Sequence, residues 1–152
     1  MNDYQRFIAY SRYARWKDEE GRRENWDEVV SRYCDWMACH IGMIDDQLWT
    51  EIEQAILNLE VMPSMRCLMT AGPALDRTHV AGYNCAYLPV DHPRSFDESM
   101  YILMCGTGVG YSVERQYTDR LPIVQVVNNP TEKVIVVNDS KEGWASALRS
   151  LI

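Results

Sequence analysis

Pro63 divides this sequence into two textures, and that division limits what the chain can fold into. Before it, apolar residues recur every three or four positions, the spacing that lines one side of an α-helix. Tyr4, Phe7, Ile8, Tyr10, Ser11 and Ala14 make one such series, closed by the polar run from Lys17 to Arg23 around Gly21. Asn25 is a good N-cap, with Asp27 and Glu28 in the first turn of a helix that carries Val29, Tyr33, Trp36, Met37 and His40 and stops near Gly42. A third helix starts after Asp45, where Asp45-Asp46 suits capping better than acid–base work. It carries Leu48, Ile52, Ala55, Ile56 and Leu59 and ends before Pro63. Trp16, Trp26, Trp36 and Trp49 are expected to be packing anchors.

After Pro63 short apolar runs alternate with turn residues: Met65 to Met69, Ala71-Gly72-Pro73, Tyr83 to Val90, Tyr111 to Glu114 and Lys133 to Val137. The β-branched run Val134-Ile135-Val136-Val137 is the clearest predicted strand. Two helices lie among these runs. Ser95-Phe96-Asp97-Glu98 has the form of a capping box. Asp139-Ser140-Lys141-Glu142 opens a helix with Trp144, Ala147, Leu148 and Leu151 as its apolar stripe. The pattern predicts an α/β protein with a helical region over 1–62 and the first strands of a larger sheet over 63–152. The last helix meets Ile152 on its apolar stripe, and the strand at 133–137 has no later partner, so the domain is expected to continue in sequence beyond this chain.

Apolar residues make up 47% and charged residues 24%, ordinary values for a soluble globular protein. A net charge of −7 argues against a nucleic-acid partner, which needs clustered Lys and Arg, but leaves room for a single nucleotide. No apolar run approaches the roughly 18 residues of a membrane span, and no signal peptide is evident, so a cytoplasmic location is expected. Five cysteines, an odd number, argue against a disulfide framework. Cys34, Cys39 and His40 cluster on a predicted helix and read as packing residues, so no metal site is expected.

Two places could carry chemistry. Gly106-Thr107-Gly108-Val109-Gly110 invites a dinucleotide-binding reading, which fails because that motif needs strand, loop, then helix, and here a helix leads into the glycines. What remains is either a close approach of ligand to backbone or a plain helix-to-strand turn. Cys85, in the strand-like run Gly82 to Leu88, is either a rigidly held redox thiol or an inert core thiol. Cys67 and Cys105 rank below it.

Taken in order, Met62-Pro63-Ser64-Met65-Arg66-Cys67-Leu68-Met69-Thr70-Ala71-Gly72, Asn84-Cys85, Gly106 to Ser112, Leu121-Pro122 and Asp139-Ser140-Lys141-Glu142-Gly143-Trp144 resemble the large catalytic chain of ribonucleotide reductases. The Pro-Ser-Met-Arg start and the Asp-Ser-Lys-Glu-Gly-Trp helix are most similar to the adenosylcobalamin-dependent class. The resemblance implies a ten-stranded α/β barrel, of which this chain supplies the N-terminal helices and first strands, with Met62 to Gly72 approaching the first strand. It implies that Cys85 abuts the substrate ribose and, with a partner cysteine further along, delivers two electrons by forming a disulfide. It places Asn84 in the same pocket and gives Gly108 the role of leaving space for the nucleotide. At Cys67 the family usually has a hydroxyl residue near the substrate phosphates, so the thiol is a departure.

The resemblance further implies a ribonucleoside di- or triphosphate substrate, adenosylcobalamin bound largely outside this segment, a downstream reductase fragment carrying the radical cysteine, and a thioredoxin-like reductant. The chain alone is expected to be inactive. The iron-dependent class I large chain is one alternative, and a non-catalytic α+β interaction module is another.

Overall fold

The protein is described by a computed structural model covering residues 1–42, 45–124 and 130–152. It forms two compact units, Met1–Tyr83 and Asn84–Ile152. The change of texture at Pro63 is therefore not the boundary of packing, because residues 64–83 fold with the helices that precede them.

In the first unit, α1 (Asp3–Ile8) is opened by a capping box between Asn2 and Gln5 and runs directly into a π-helical turn, Ala9–Tyr13. The polar run that follows forms a small antiparallel hairpin, β1 (Trp16–Lys17) paired with β2 (Arg22–Arg23), with Gly21 at φ +61° in the turn. Here sequence periodicity gave no warning, since two-residue strands carry no alternation. Trp16 is mostly exposed on this hairpin and anchors nothing.

The central helix is α2 (Trp26–Ile41), opened by the Asn25–Glu28 capping box and closed at Gly42, as the sequence indicates. Val29 packs with Ala9, Tyr13, Ala14 and Leu68, while Val30 and Cys34 pack with Ile56 of α3 (Asp46–Leu57). Trp26 ties the two helices by donating its indole N–H to the Leu57 carbonyl at 3.2 Å. Cys34 behaves as a core residue: burial, with Glu53 and Asp35 nearby, pushes its thiol up to about 11.

The run Met65 to Met69, expected as the approach to a strand, is instead the helix α4 (Met65–Thr70). Its apolar residues Met65, Leu68 and Met69 sit at i, i+3 and i+4, so a helix buries Leu68 completely where a strand would split the set between two faces. A short helix α5 (Pro73–Arg77) and a 3-10 turn (His79–Gly82) complete the unit.

One buried ion pair gathers these pieces. Arg32 of α2 donates from Nε and Nη2 to the two carboxylate oxygens of Glu24, at 2.7 and 2.9 Å. The same guanidinium donates to the carbonyls of Leu68, Ala71 and Tyr13. Glu24 also accepts from the Arg15 backbone N–H. Hairpin, π-turn, α2 and α4 therefore share one charged hub.

The second unit is a β–α–β element with an added helix. β3 (Cys85–Pro89) and β4 (Gly108–Ser112) lie parallel, joined by α6 (Arg94–Met104), which packs on both. A single turn, α7 (Arg115–Thr118), follows β4, and α8 (Lys141–Leu151) packs on α6. Ser140 caps α8 by accepting from the Gly143 N–H at 3.0 Å.

Three local expectations are corrected here. Ser95 is not a cap: α6 begins one residue earlier, and the buried Ser95 hydroxyl donates to the Pro89 carbonyl at 3.0 Å, while Glu98 pairs with Arg94. The residues at 133–137 form no strand, since among the described residues no neighbouring strand takes up their N–H and C=O groups, and Val134 and Val136 are over 80% exposed. The stripe Trp144 to Leu151 is covered only in part: Ala147 and Leu148 are partly buried, Trp144 and Leu151 stay exposed, and the fully buried residue is Ala145, while the half-exposed Arg149 donates from Nε to the buried Asp97 at 2.8 Å.

Replacing Arg32 with Met is expected to strand the Glu24 charge in the interior and lower stability by about 3–5 kcal/mol, read from the urea unfolding midpoint. A loss below about 1 kcal/mol would show the hub to be dispensable.

Candidate redox-thiol site

The parallel register pairs Cys85 with Gly108, Ala86 with Val109, Tyr87 with Gly110, Leu88 with Tyr111 and Pro89 with Ser112. Side chains alternate along a strand, so Cys85, Tyr87, Gly108 and Gly110 share one face, while Ala86, Leu88 and Val109 share the other. In β3 burial follows that alternation, although Tyr111 of β4, on the face of Val109, is also exposed. Ala86, Leu88 and Val109 are partly covered and lie on the side of α6, whereas Cys85 and Tyr87 are exposed.

Two features of the sequence build this arrangement. Glycines end α6 abruptly: Cys105 is the C-cap and Gly106, at φ +85°, turns the chain back. The backbone then enters β4 at once, two residues on, with the Gly108 N–H donating to the Asn84 carbonyl at 3.0 Å. The strand had been expected over Tyr111 to Glu114. It begins earlier because this ladder recruits the glycines themselves.

The site residues fall in two groups. Asn84, Cys85 and Gly108 come together, and a Cβ placed on Gly108 would stand 3.9 Å from the Cys85 sulfur and 3.6 Å from the Asn84 carbonyl oxygen. Gly108 keeps that space open beside the thiol. Cys67 lies in the other unit, on α4, where its thiol donates to the Gly82 carbonyl at 3.5 Å and packs closely against that glycine, 3.3 Å from where a Cβ would stand. Cys105 is buried, and Cys39 is exposed on α2.

Cys85 is exposed in this chain, an arrangement that suits the first of the two readings the sequence left open. An inert core thiol would be enclosed, and this one stands on an uncovered sheet face. A rigid strand holding an accessible sulfur beside bare backbone is suited to thiol–disulfide exchange, which needs in-line approach to sulfur. Tyr87 is the residue the sequence reading passed over. Its signal was the two-residue spacing from Cys85.

Alkylation should sort the thiols by these environments. At pH 8, Cys85 and Cys39 are expected to react in the folded protein and Cys34 only on unfolding, because its raised pKa and burial leave no reachable thiolate. Gly108→Ala makes only ordinary van der Waals contacts, so the fold should hold while labelling of Cys85 slows by roughly threefold or more, measured by mass spectrometry. Unchanged labelling would mean that Gly108 does not gate the sulfur.

No family model matches the chain. Among curated proteins it is similar to adenosylcobalamin-dependent ribonucleoside-triphosphate reductases. It is 26% identical to that of Lactobacillus delbrueckii subsp. bulgaricus, 25% to that of Lactobacillus leichmannii and 27% to that of Lacticaseibacillus paracasei. Each match covers 94% of this chain and 23% of the relative, so the chain spans about a quarter of the length of the proteins it matches. A crystal structure of a B12-dependent, class II ribonucleotide reductase superposes over 93% of this chain and 28% of its own, with a TM-score of 0.70 and 21% identity. In sequence and in fold, then, this chain is similar to the adenosylcobalamin-dependent ribonucleotide reductases, the class its motifs resemble.

Proposed function

We propose that this chain supplies the substrate-reducing thiol face of a ribonucleotide reductase. The observation that carries the reading is Cys85, exposed on β3 with Gly108 leaving the space beside its sulfur empty. In the proposed reaction the Cys85 thiol and a second thiol, from reductase sequence outside this chain, become a disulfide. The two electrons and two protons they give up replace the substrate's 2′-hydroxyl by hydrogen and release it as water. Asn84 lines the ribose side, and Gly108 lets the nucleotide approach the backbone. For Cys67, which the resemblance implies lies near the substrate phosphates, the thiol donates to the Gly82 carbonyl, so no direct phosphate bond is assigned to that side chain. A thioredoxin-like dithiol then reduces that disulfide back to the two thiols and itself becomes a disulfide.

The names of the relatives support adenosylcobalamin as the cofactor, and support the cobalamin-dependent class over the iron-dependent one. When bound, that cofactor supplies the radical that starts the chemistry. The open face of β3 and β4 offers a thiol and bare backbone, which fit a substrate ribose, and no residue of this chain is assigned to holding the corrin. The strands β3 and β4 would be two of the ten in the α/β barrel, with the remaining strands, the radical cysteine and the partner thiol contributed by the rest of the enzyme.

The test uses the complete reductase containing this chain, with adenosylcobalamin, a ribonucleotide and a dithiol reductant. Cys85→Ser is expected to abolish deoxyribonucleotide formation, a fall of at least about a thousandfold for loss of an essential nucleophilic group. Sustained multiple turnover by that variant would end the assignment, and turnover without the cobalamin would move the enzyme to another class.

A further inference from the structure

We infer that Tyr87 is a substrate-contacting residue that packs its ring against the nucleobase of the ribonucleotide, an inference that rests on the reading of Cys85 above. Along a strand, residues two apart lie about 6.5–7 Å from one another on the same face, the distance from the reacting carbon of a ribose to the far side of its base. Tyr87 occupies that position relative to Cys85. It is 64% exposed although it is a large aromatic residue at the middle of a strand, and the sheet face that carries it is the one α6 leaves uncovered.

The facing strand is shaped to match. Gly108 and Gly110 lie opposite Cys85 and Tyr87, and neither has the positive φ that would demand glycine. A Cβ on Gly110 would meet Tyr87 Cδ2 at 3.9 Å, an ordinary contact, so alanine would fit at both places. What glycine contributes is a low floor: Tyr87 Cδ2 lies beside bare backbone, and most of the residue is exposed. An aromatic ring supported on one side and free on the other is a stacking platform, and it tolerates any base because every base has a π-face. That tolerance suits an enzyme whose substrates share a ribose and differ in the base.

The experiment measures ribonucleotide binding and turnover in the complete enzyme carrying Tyr87→Phe, Tyr87→Leu or Tyr87→Ala, each also built on Cys85→Ser so that equilibrium binding is read without turnover. Phe keeps the ring and should bind within about twofold of the parent. Leu and Ala should weaken binding and raise KM by roughly tenfold, with kcat changed by less than about threefold. Should the alanine variant fail to fold, the Phe and Leu pair decides alone, since both are large and apolar and only one has a π-face. Equal binding by the Leu and Phe variants overturns the inference. Loss of turnover in Cys85→Ser together with that equality leaves the thiol assignment standing, whereas full turnover in Cys85→Ser removes the reading beneath both.

Discussion

The hydrogen bond from the Gly108 N–H to the Asn84 carbonyl is the contact on which the proposed site depends. It begins the parallel ladder, and a ladder's first bond sets its register. A slip of one residue would turn Cys85 toward α6 and bring Ala86 to the open face, because strand side chains alternate. Register here is fixed from both ends. Gly106 turns the chain tightly after α6, and at the other end the Val90 N–H continues the pairing onto the Ser112 carbonyl. Between those points the strands have no freedom to slide. The sulfur owes its position to backbone geometry more than to its own contacts.

The first unit solves a different problem. Beside α2 and α3 it holds α4 and α5, which are too short to be stable as isolated helices. The carbonyl end of α4 needs donors, and Arg32 supplies them: its guanidinium meets the Leu68 and Ala71 carbonyls and that of Tyr13 in the π-turn while pairing with Glu24. A planar five-donor group can do this where lysine cannot. Arg15 adds a second link, from Nε to the Met69 carbonyl, and its own pKa is lowered by burial and by the neighbouring Arg32 charge. Two guanidiniums so close are tolerable because Glu24 lies between them.

Much of this was legible from residue order, and the failures share a cause. Asn25, Gly42, Asp45 and Ser140 mark helix ends correctly because capping is local chemistry, decided within four residues. Cys85 on a strand and the helix-glycine-strand order were likewise readable. The misreadings concern partners distant in sequence. Met65 to Thr70 looked strand-like beside turn residues, and its fate was set by where Leu68 could be buried, against Val29. Val134 to Val137 has strong β propensity, and propensity alone forms no sheet without a neighbour. Ser95 fits a cap motif, yet its hydroxyl found the Pro89 carbonyl, a bond that exists only because β3 ends there. On α8 the stripe is only half covered, and the buried Asp97 of α6 takes its partner from Arg149, a long-range pairing that periodicity does not show.

The same logic explains why the thiol was ambiguous in sequence. Cysteine on a strand next to a small or polar residue describes both a core position and a reactive one, and the two differ only in which face the strand presents to its helix. That choice rests on Ala86, Leu88 and Val109, which pack toward α6, and on Gly108 and Gly110, which have nothing to pack. Hydrophobic burial of one face thus forces the other outward, with sulfur and aromatic ring displayed over glycine. A protein seeking only stability would fill those two positions, since alanine makes no clash at either and glycine costs about 0.5–1 kcal/mol in a strand interior. Leaving both empty sacrifices stability beside an accessible sulfur held on a strand, and that coincidence is the physical argument for a ligand there.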